Sequence, residues 1–239
     1  MKKLLVVCAI SAVSTTHAFA GGKMAPAPEP YIPTPVAPVS TFDWTGAYGG
    51  VFLGYGNGTS RHCDGPNCAG GAPTFPSPNP SGGLGGVTLG YNFQHNNLVY
   101  GIELDHAVTR MRGTATSTAT YGCGGAPGCR TNIDSMTTLR GRLGVAMDRT
   151  LVFGTAGLAH IRGKGGTTGS PQGSFSFSTP VIGAGVEHAL TDRISLKGEV
   201  LHTLRRGSFN VQPGVCVAPG CQIDRVSTTT GRIGVNFRF

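Results

Sequence analysis

The chain ends on the stretch RIGVNFRF (residues 232–239), in which apolar and polar side chains alternate. Ile233, Val235 and Phe237 fall on one face of an extended strand. Arg232 falls on the other face, together with a glycine and an asparagine. An alternation with a period of two residues is the signature of a β-strand with two unlike faces. The stretch therefore predicts a strand that is apolar on one side and polar on the other.

The same alternation recurs upstream. We expect eight strands in all, over residues 45–59, 82–94, 98–112, 133–147, 151–163, 175–190, 194–209 and 223–239. The connections between them are tight at 95–97, 148–150 and 191–193, and long at 60–81, 113–132, 164–174 and 210–222. Short and long connections follow each other in turn, which predicts an antiparallel up-and-down meander with the tight turns at one end.

Composition excludes helical bundles, coiled coils and acidic disordered tails. Gly supplies 39 and Pro 16 of the 239 residues, and both disfavour the interior of a helix. Only 13% of the residues are charged, well below the roughly 25% of an ordinary soluble domain. These values leave a Gly-rich, all-β chain that is long enough for one domain.

The first part of the chain predicts export. Residues 1–20 read as a secretory signal peptide, with two lysines, an apolar stretch over 4–13 and an A-x-A cleavage site at 18–20. Residues 21–42 are rich in proline and predict a periplasmic linker without a fold of its own. The remaining 43–239 contain no apolar run long enough for a membrane-spanning helix, so any membrane insertion has to be as a β-barrel.

The charges on the polar strand faces distinguish a membrane barrel from a soluble one. They are Glu103, Asp105, Arg140, Arg142, Glu187, Lys197, Glu199 and Arg232, four acids and four bases. A narrow interior requires such a balance, because unpaired buried charge is costly. We therefore predict an all-β, eight-stranded antiparallel up-and-down transmembrane β-barrel with apolar side chains facing lipid. Eight strands leave an interior just wide enough for side chains, so this lumen charge network should pair and plug it.

The terminal stretch also resembles the β-signal that the bacterial barrel-assembly machinery recognises. The residues that carry the resemblance are Gly234, Phe237 and Phe239, the last of which ends the chain. The resemblance implies that the assembly machinery is a partner of this protein during insertion into the outer membrane.

Two further stretches are similar to one bacterial family. DWTGAYGG (residues 43–50) and LRGRLG (139–144), with the turn at 148–149, resemble the small outer membrane proteins of alphaproteobacteria. These form the 25/31-kilodalton outer membrane protein family, porin-like and grouped with OmpA-type eight-stranded barrels. The resemblance covers residues 43–239.

The resemblance implies an integral outer-membrane protein that is abundant and surface-exposed, with its linker in the periplasm and its long loops extracellular. We expect a structural and surface-interaction role. Because family members are described as porin-like, and some bind haemin or host surfaces, a small-solute porin and a haemin- or host-ligand-binding surface protein are the alternatives.

Six cysteines remain once the signal peptide is removed, and they fall in pairs within the long loops. The pairs are Cys63 with Cys68, Cys123 with Cys129, and Cys216 with Cys221. Six cysteines allow fifteen connectivities, and close spacing on Gly- and Pro-rich turns in an oxidising compartment favours the local one. Metal binding at Cys63 beside His62 is the rival interpretation. Because no pair has the C-x-x-C spacing, we expect disulfides and no metal site.

Basic residues gather near the long-loop end. This basic rim comprises Arg61, Arg110, Arg112, Arg130, Arg162, Lys164, Arg205, Arg206 and Arg225. We expect the rim to contact lipopolysaccharide phosphates, for which the arginine fork is suited; the alternative is a solvated rim that keeps the loops soluble. No aromatic stacking platform accompanies the charge, so nucleic acid is not expected as a partner.

The chain carries no recognisable catalytic motif. It contains no G-x-S-x-G, Walker or H-E-x-x-H sequence. His160, His188 and His202 are isolated in sequence, and the adjacent Asp105 and His106 point to opposite faces of a strand. We therefore predict no enzymatic activity and no cofactor, with haemin binding through a loop histidine such as His62 kept as an alternative.

Overall fold

The computed structural model describes residues 42–64, 78–115, 128–167, 172–204, 209–210 and 221–239. The strands in these ranges are β1 Gly46–Asp64, β2 Ser81–His95, β3 Leu98–Ala115, β4 Cys129–Met147, β5 Thr150–Thr167, β6 Gly173–Ala189, β7 Ile194–Thr203, β8 Phe209–Asn210 and β9 Cys221–Arg238. The predicted signal peptide, and the predicted linker up to residue 41, lie outside the described residues. For 61–64, 129, 167, 209–210 and 221–225 the backbone alone is described.

The sheet closes on itself. Each strand pairs antiparallel with its neighbour, and β1 pairs with both β2 and β9. The barrel wall consists of β1 to β7 and β9, so the predicted eight-stranded antiparallel barrel is confirmed. The two-residue β8 pairs with the start of β9, beyond the point where β7 ends. Closure removes the bare strand edges that a sheet otherwise presents.

Most strands are longer than the alternation predicted. β1 continues to Asp64 and β4 begins at Cys129, so parts of the predicted loops 60–81 and 113–132 are strand instead. Polarity alternation marks the portion of a strand that lies between two unlike environments, and it fades where both faces are polar. Strands β1 to β6 and β9 have 15 to 19 residues, against roughly 9–11 needed to cross a bilayer. The wall therefore extends past the apolar zone at the long-loop end.

The predicted tight turns close the other end. His95 pairs with Leu98, and the turn between them places Asn96 at a φ of 54°. The turn between β4 and β5 places Asp148 at a φ of 52°. Asn and Asp tolerate this left-handed conformation better than other residues with a side chain, because their short polar groups can bond locally. In the turn after β6, the hydroxyl of Thr191 accepts hydrogen bonds from two backbone N–H groups.

The two faces of the wall are inverted relative to a soluble protein. Leu143, Val235 and Phe237 point outward and are 57%, 45% and 44% exposed, whereas Arg140 points inward and is 1% exposed. We use the name apolar belt for the outward side chains Val51, Leu53, Val87, Leu89, Ile102, Leu104, Leu139, Leu143, Val152, Leu158, Ile182, Val186, Leu196, Val200, Ile233 and Val235. Within the described ranges, no helix is long and apolar enough to cross a membrane.

Aromatic side chains border the apolar belt at the short-turn end. Tyr91 and Phe93 lie with their ring centroids 4.7 Å apart, and Phe93 stacks on Tyr100 at 5.6 Å. Phe237 and Phe239 contact each other edge to face. Rings at the edge of an apolar band are typical of the interface between hydrocarbon and water. The belt and its aromatic border therefore mark one surface of a membrane.

Candidate functional site

The eight predicted lumen charges meet in the middle of the barrel. Inward positions of β3, β4, β6, β7 and β9 supply them, because alternate residues of a strand share a face. All eight are at most 5% exposed. We call this set, Glu103, Asp105, Arg140, Arg142, Glu187, Lys197, Glu199 and Arg232, the lumen network.

Arg140 is the hub of the lumen network. Its Nη2 donates to Glu103 at 2.5 Å and to Asp105 at 2.6 Å, and its Nη1 donates to Glu199 at 3.0 Å. Its Nε donates to the hydroxyl of Thr138 at 2.9 Å. The guanidinium plane is suited to this role because it presents five N–H donors in a fixed geometry. One side chain therefore joins three carboxylates from two strands.

Two further bases complete the charge balance around that hub. The Nζ of Lys197 donates to Glu103 at 2.8 Å, and Nη1 of Arg232 donates to Asp105 at 3.0 Å. Each of these carboxylates thus accepts hydrogen bonds from two cations, and Glu103 also lies 3.8 Å from Nη1 of Arg142. A buried ion pair is tolerable only when its geometry is good and its remaining donors and acceptors are satisfied.

Arg142 connects the remaining acid to the same set. Its Nη2 donates to Glu187 at 2.7 Å, and its Nη1 donates to the hydroxyl of Tyr48 at 3.0 Å. Tyr48 in turn donates to Glu103 at 2.7 Å. The hydroxyl of Ser195 donates to Glu187 at 2.6 Å. All four acids and all four bases therefore belong to one connected network with no net charge.

Tyr48 and Ser195 also belong to this network, and neither was predicted from the sequence. Tyr48 lies on β1, whose many glycines obscured which face is inward. Its ring leans over Gly90 on β2, where a Cβ atom would collide with it. The signal that identifies Tyr48 is its register: it pairs with Gly90 and faces the lumen beside the charges.

Three apolar clusters among the described residues of the interior were also not predicted. The smallest contains Phe52, Leu84 and Ala107, and the Phe52 ring lies against Arg232 of the lumen network. The short-turn cluster contains Phe42, Trp44, Val99, Ala146, Leu151, Phe153 and Ala189. The long-loop cluster contains Met111, Ile133, Met136, Ala159, Ile161, Phe175, Phe177, Val181, Leu201 and Val226. The lumen is thus layered, with the lumen network between two apolar plugs. In β5 both faces are apolar, so the alternation did not show whether Leu151 and Ile161 point into the lumen or outward.

The short-turn cluster includes residues that precede the first strand. Trp44 is 1% exposed, and Phe42 packs on it edge to face with centroids 4.9 Å apart. Arg238, near the end of β9, donates to the backbone carbonyls of Asp43 and Thr45. Hydrogen bonds from Thr45 hold the pKa of the Asp43 carboxyl below its usual value, and the charge of Arg238 acts in the same direction.

Other predicted site residues are placed as follows. The described side chains of the predicted basic rim, those of Arg110, Arg112, Arg130, Arg162 and Lys164, lie on β3, β4 and β5. The side chains of Arg61, His62, Arg205, Arg206 and Arg225 lie outside the described residues. So do the side chains of Cys63, Cys68, Cys123, Cys129, Cys216 and Cys221, and the disulfides stay a prediction. No cluster of three metal-ligating side chains occurs among the residues that were described.

A closed eight-stranded barrel with an apolar outer belt and a charged interior defines the class of outer-membrane β-barrel proteins. The pattern of one such family, the outer membrane protein beta-barrel domain, matches residues 7–239. The chain belongs to this family.

Relatives agree with this assignment. The chain is 32% identical over 254 residues to the 31 kDa outer-membrane immunogenic protein of Brucella melitensis, covering 99% of this chain and 100% of that protein. It is 26% identical over 239 residues to the 25 kDa outer-membrane immunogenic protein of the same organism, covering 100% and 99%. OprG of Pseudomonas aeruginosa has a similar fold, with a TM-score of 0.54 at 13% identity over 82% of this chain and 97% of that one.

The lumen network predicts that the loss of stability on removing Arg142 depends on whether Glu187 still carries its charge. Arg142→Met alone strands the Glu187 carboxylate in the lumen, and we expect it to lower the free energy of unfolding by about 3–5 kcal/mol. Adding Glu187→Gln removes the stranded charge and keeps a hydrogen-bonding partner for Ser195, so the double variant should recover most of that loss. Urea unfolding of the barrel refolded in lipid vesicles measures both values. Losses that simply add would contradict the coupling.

Proposed function

We propose that this protein is a sealed, structural outer-membrane barrel with surface-interaction loops, and that it is neither an open channel nor an enzyme. The observation that supports the proposal is the layered lumen, in which paired charges fill the middle and apolar clusters fill the space on both sides. An eight-stranded barrel has little interior to spare beyond its own side chains. Water and solutes would have to displace both clusters and the lumen network to cross.

The histidines support a non-enzymatic role. His106, His160 and His188 lie on outward positions, each with Nδ1 in a hydrogen bond to a hydroxyl of the neighbouring strand. His202 bonds Thr229 in the same way. A catalytic constellation needs a base directed at a nucleophile with a carboxylate behind it. Within the described part of the chain, none of these four imidazoles is hydrogen-bonded to a carboxylate. Haemin binding through His62 stays a prediction.

The orientation we propose has the short turns in the periplasm and the long loops outside the cell. Bacterial barrels place short turns on the periplasmic side and longer loops on the extracellular side. The Brucella relatives are named outer-membrane immunogenic proteins. That name is what a surface-displayed protein would receive, so it supports exposure of the long loops in this chain.

We further propose that the barrel-assembly machinery recognises β9 through Gly234, Phe237 and Phe239. Both rings point outward at the short-turn edge, and Phe239 is 83% exposed, so they are accessible to a partner. β9 also forms one side of the seam with β1, which is the last pairing that closure requires.

Conductance tests the sealed lumen. We expect the purified barrel to give no steady nanosiemens-scale openings in planar bilayers, because the lumen network and both clusters occlude the path. Leu151→Ala and Ile161→Ala truncate one side chain in each cluster. Combining them with Glu199→Ala and, on β4, Arg140→Ala thins all three layers and should produce measurable openings. Leu139→Ala, on the outward face of the same strand, is the matched control and should stay silent. Steady openings of the unaltered protein would favour the small-solute porin.

Epitope insertion tests the orientation. A tag inserted between β5 and β6 should be labelled by antibody on intact cells, and the same tag inserted after Asn97 should be labelled only after the outer membrane is permeabilised. Heat-modifiable gel mobility shows that each variant is folded. Labelling of the Asn97 tag on intact cells would reverse the proposed orientation.

Removal of Phe239 tests recognition by the assembly machinery. We expect the variant to accumulate unfolded in the periplasm, while the purified chain still refolds in detergent, because the ring contributes no interior packing. Leu190→Ala, an outward apolar truncation in a turn at the same end, is the control and should assemble normally. Normal assembly without Phe239 would contradict the assigned role.

A further inference from the structure

Polar side chains interrupt the outward apolar positions on β3 to β6, although Val108, two residues beyond His106, is outward and 63% exposed. Toward the long-loop end, the outward position after Leu104 is His106, and the position after Leu158 is His160. The register aligns His106 with Thr137, Thr137 with His160, and His160 with Ser178. These four residues form a continuous row across four strands, which we call the polar row.

Hydrogen bonds run along the polar row. His106 Nδ1 and the hydroxyl of Thr137 lie 2.8 Å apart, and His160 Nδ1 and the hydroxyl of Ser178 lie 3.1 Å apart. Polar groups facing hydrocarbon without partners would be costly. Pairing them across strands lets imidazoles and hydroxyls lie at the edge of the belt, where sugar and phosphate groups of lipids begin.

Basic side chains continue outward from the polar row. On β3 to β5 the outward positions farther from the belt include Arg110, Arg112, Arg130, Arg162 and Lys164, which we call the basic wall. Arg112 and Lys164 both pair with Asn132, so their strands are about 10 Å apart. Asp134 is the single exposed acid in the described part of this surface.

The charged side chains that the structure describes on the outward face at this end lie on β3 to β5. Arg61 on β1 and Arg225 on β9 pair at the same end, and only their backbone is described. Outward positions at the same end of β7, β9, β1 and β2 are occupied by His202, Thr229, Ser227, Asn57, Thr59 and Ser81. None of these carries a carboxylate, an ammonium or a guanidinium group. The described outward face of β3 to β5 thus holds five bases against one acid, a continuous positive surface that suits an anionic ligand.

We propose that the basic wall and the polar row bind the phosphate and sugar groups of an anionic outer-leaflet glycolipid, the chemistry of lipopolysaccharide. Arg162 lies four residues beyond Leu158, which places it roughly 10 Å outside the belt for a strand tilted at about 40°. A guanidinium there meets phosphate in bidentate geometry, and the polar row meets sugar hydroxyls. The proposal rests on the orientation proposed above, because this glycolipid occupies the leaflet on the long-loop side.

Continuity with the apolar belt favours a lipid over a soluble polyanion. If the acyl chains of a glycolipid lie against Leu104, Leu139 and Leu158, its headgroup lies beside the polar row. The lipid therefore makes apolar and polar contacts at the same time. A soluble sulfated or phosphorylated polymer gains only the charge of the wall, and salt screens that interaction.

The test compares two variants with the same change in charge. Arg162→Gln with Lys164→Gln alters the basic wall, and Arg149→Gln with Arg193→Gln alters the exposed bases at the short-turn end. Each protein is refolded in phosphatidylcholine vesicles with and without lipid A that carries both phosphates, and the unfolding midpoint is read from gel mobility after heating. We expect lipid A to raise the midpoint of the unaltered protein and of the short-turn variant equally, and of the wall variant by less than half as much.

Three further arms make the result decisive. Dephosphorylated lipid A should give little shift, and added salt should reduce the shift of the unaltered protein. Equal shifts in both variants, or a shift indifferent to phosphate or to salt, would overturn the proposal. A shift reproduced by a soluble polyanion without lipid A would replace the glycolipid with that ligand. In vesicles with lipid A in both leaflets, binding does not depend on the orientation of the barrel. Unfolding in phosphatidylcholine alone measures the stability of the barrel without the glycolipid. The glycolipid proposal can therefore fail while the orientation proposal stands, and the reverse.

Discussion

The hydrocarbon of a bilayer offers no hydrogen-bonding partner to a peptide group, and this constraint determines the rest of the structure. Each backbone N–H and C=O in the membrane zone has to be paired within the protein. The pairing of β1 with β9 meets that requirement by joining the two ends of the sheet. Inside the closed wall, the buried charges are not solvated by bulk water. Arg140 and the charged side chains around it therefore have to form ion pairs with one another.

The same constraint explains the layering of the lumen. Charged side chains are tolerable where several strands can supply matching partners, as around Arg140 and Arg142. Toward either mouth, the inward positions hold Met, Phe, Ile and Leu side chains instead. Packing of those side chains excludes water from the lumen network, and exclusion of water strengthens each ion pair while raising the cost of breaking one.

Sequence alone predicted the strands, the closure and the eight lumen charges, because a period-two alternation between lipid and a polar interior is a strong local signal. Where the two faces of a strand are alike, the signal vanishes. In β5, Leu151 points inward and Val152 outward, and in β1 many positions are glycine. For neither strand did the sequence show which face points into the lumen. The roles of Tyr48 and Trp44 depend on partners more than 45 residues away in sequence, Glu103 and Gln94, and no local pattern contains them.

The seam has a consequence for the connectivity of the chain. The backbone N–H of Phe239 donates to the carbonyl of Ala47 at 3.1 Å, so the final residue lies beside the first strand. Joining the chain there and opening it within a long loop would give a circular permutant with the same wall pairings. In such a molecule Phe237 and Phe239 would become internal. The wall would be kept, while the proposed assembly signal would no longer stand at the carboxy terminus.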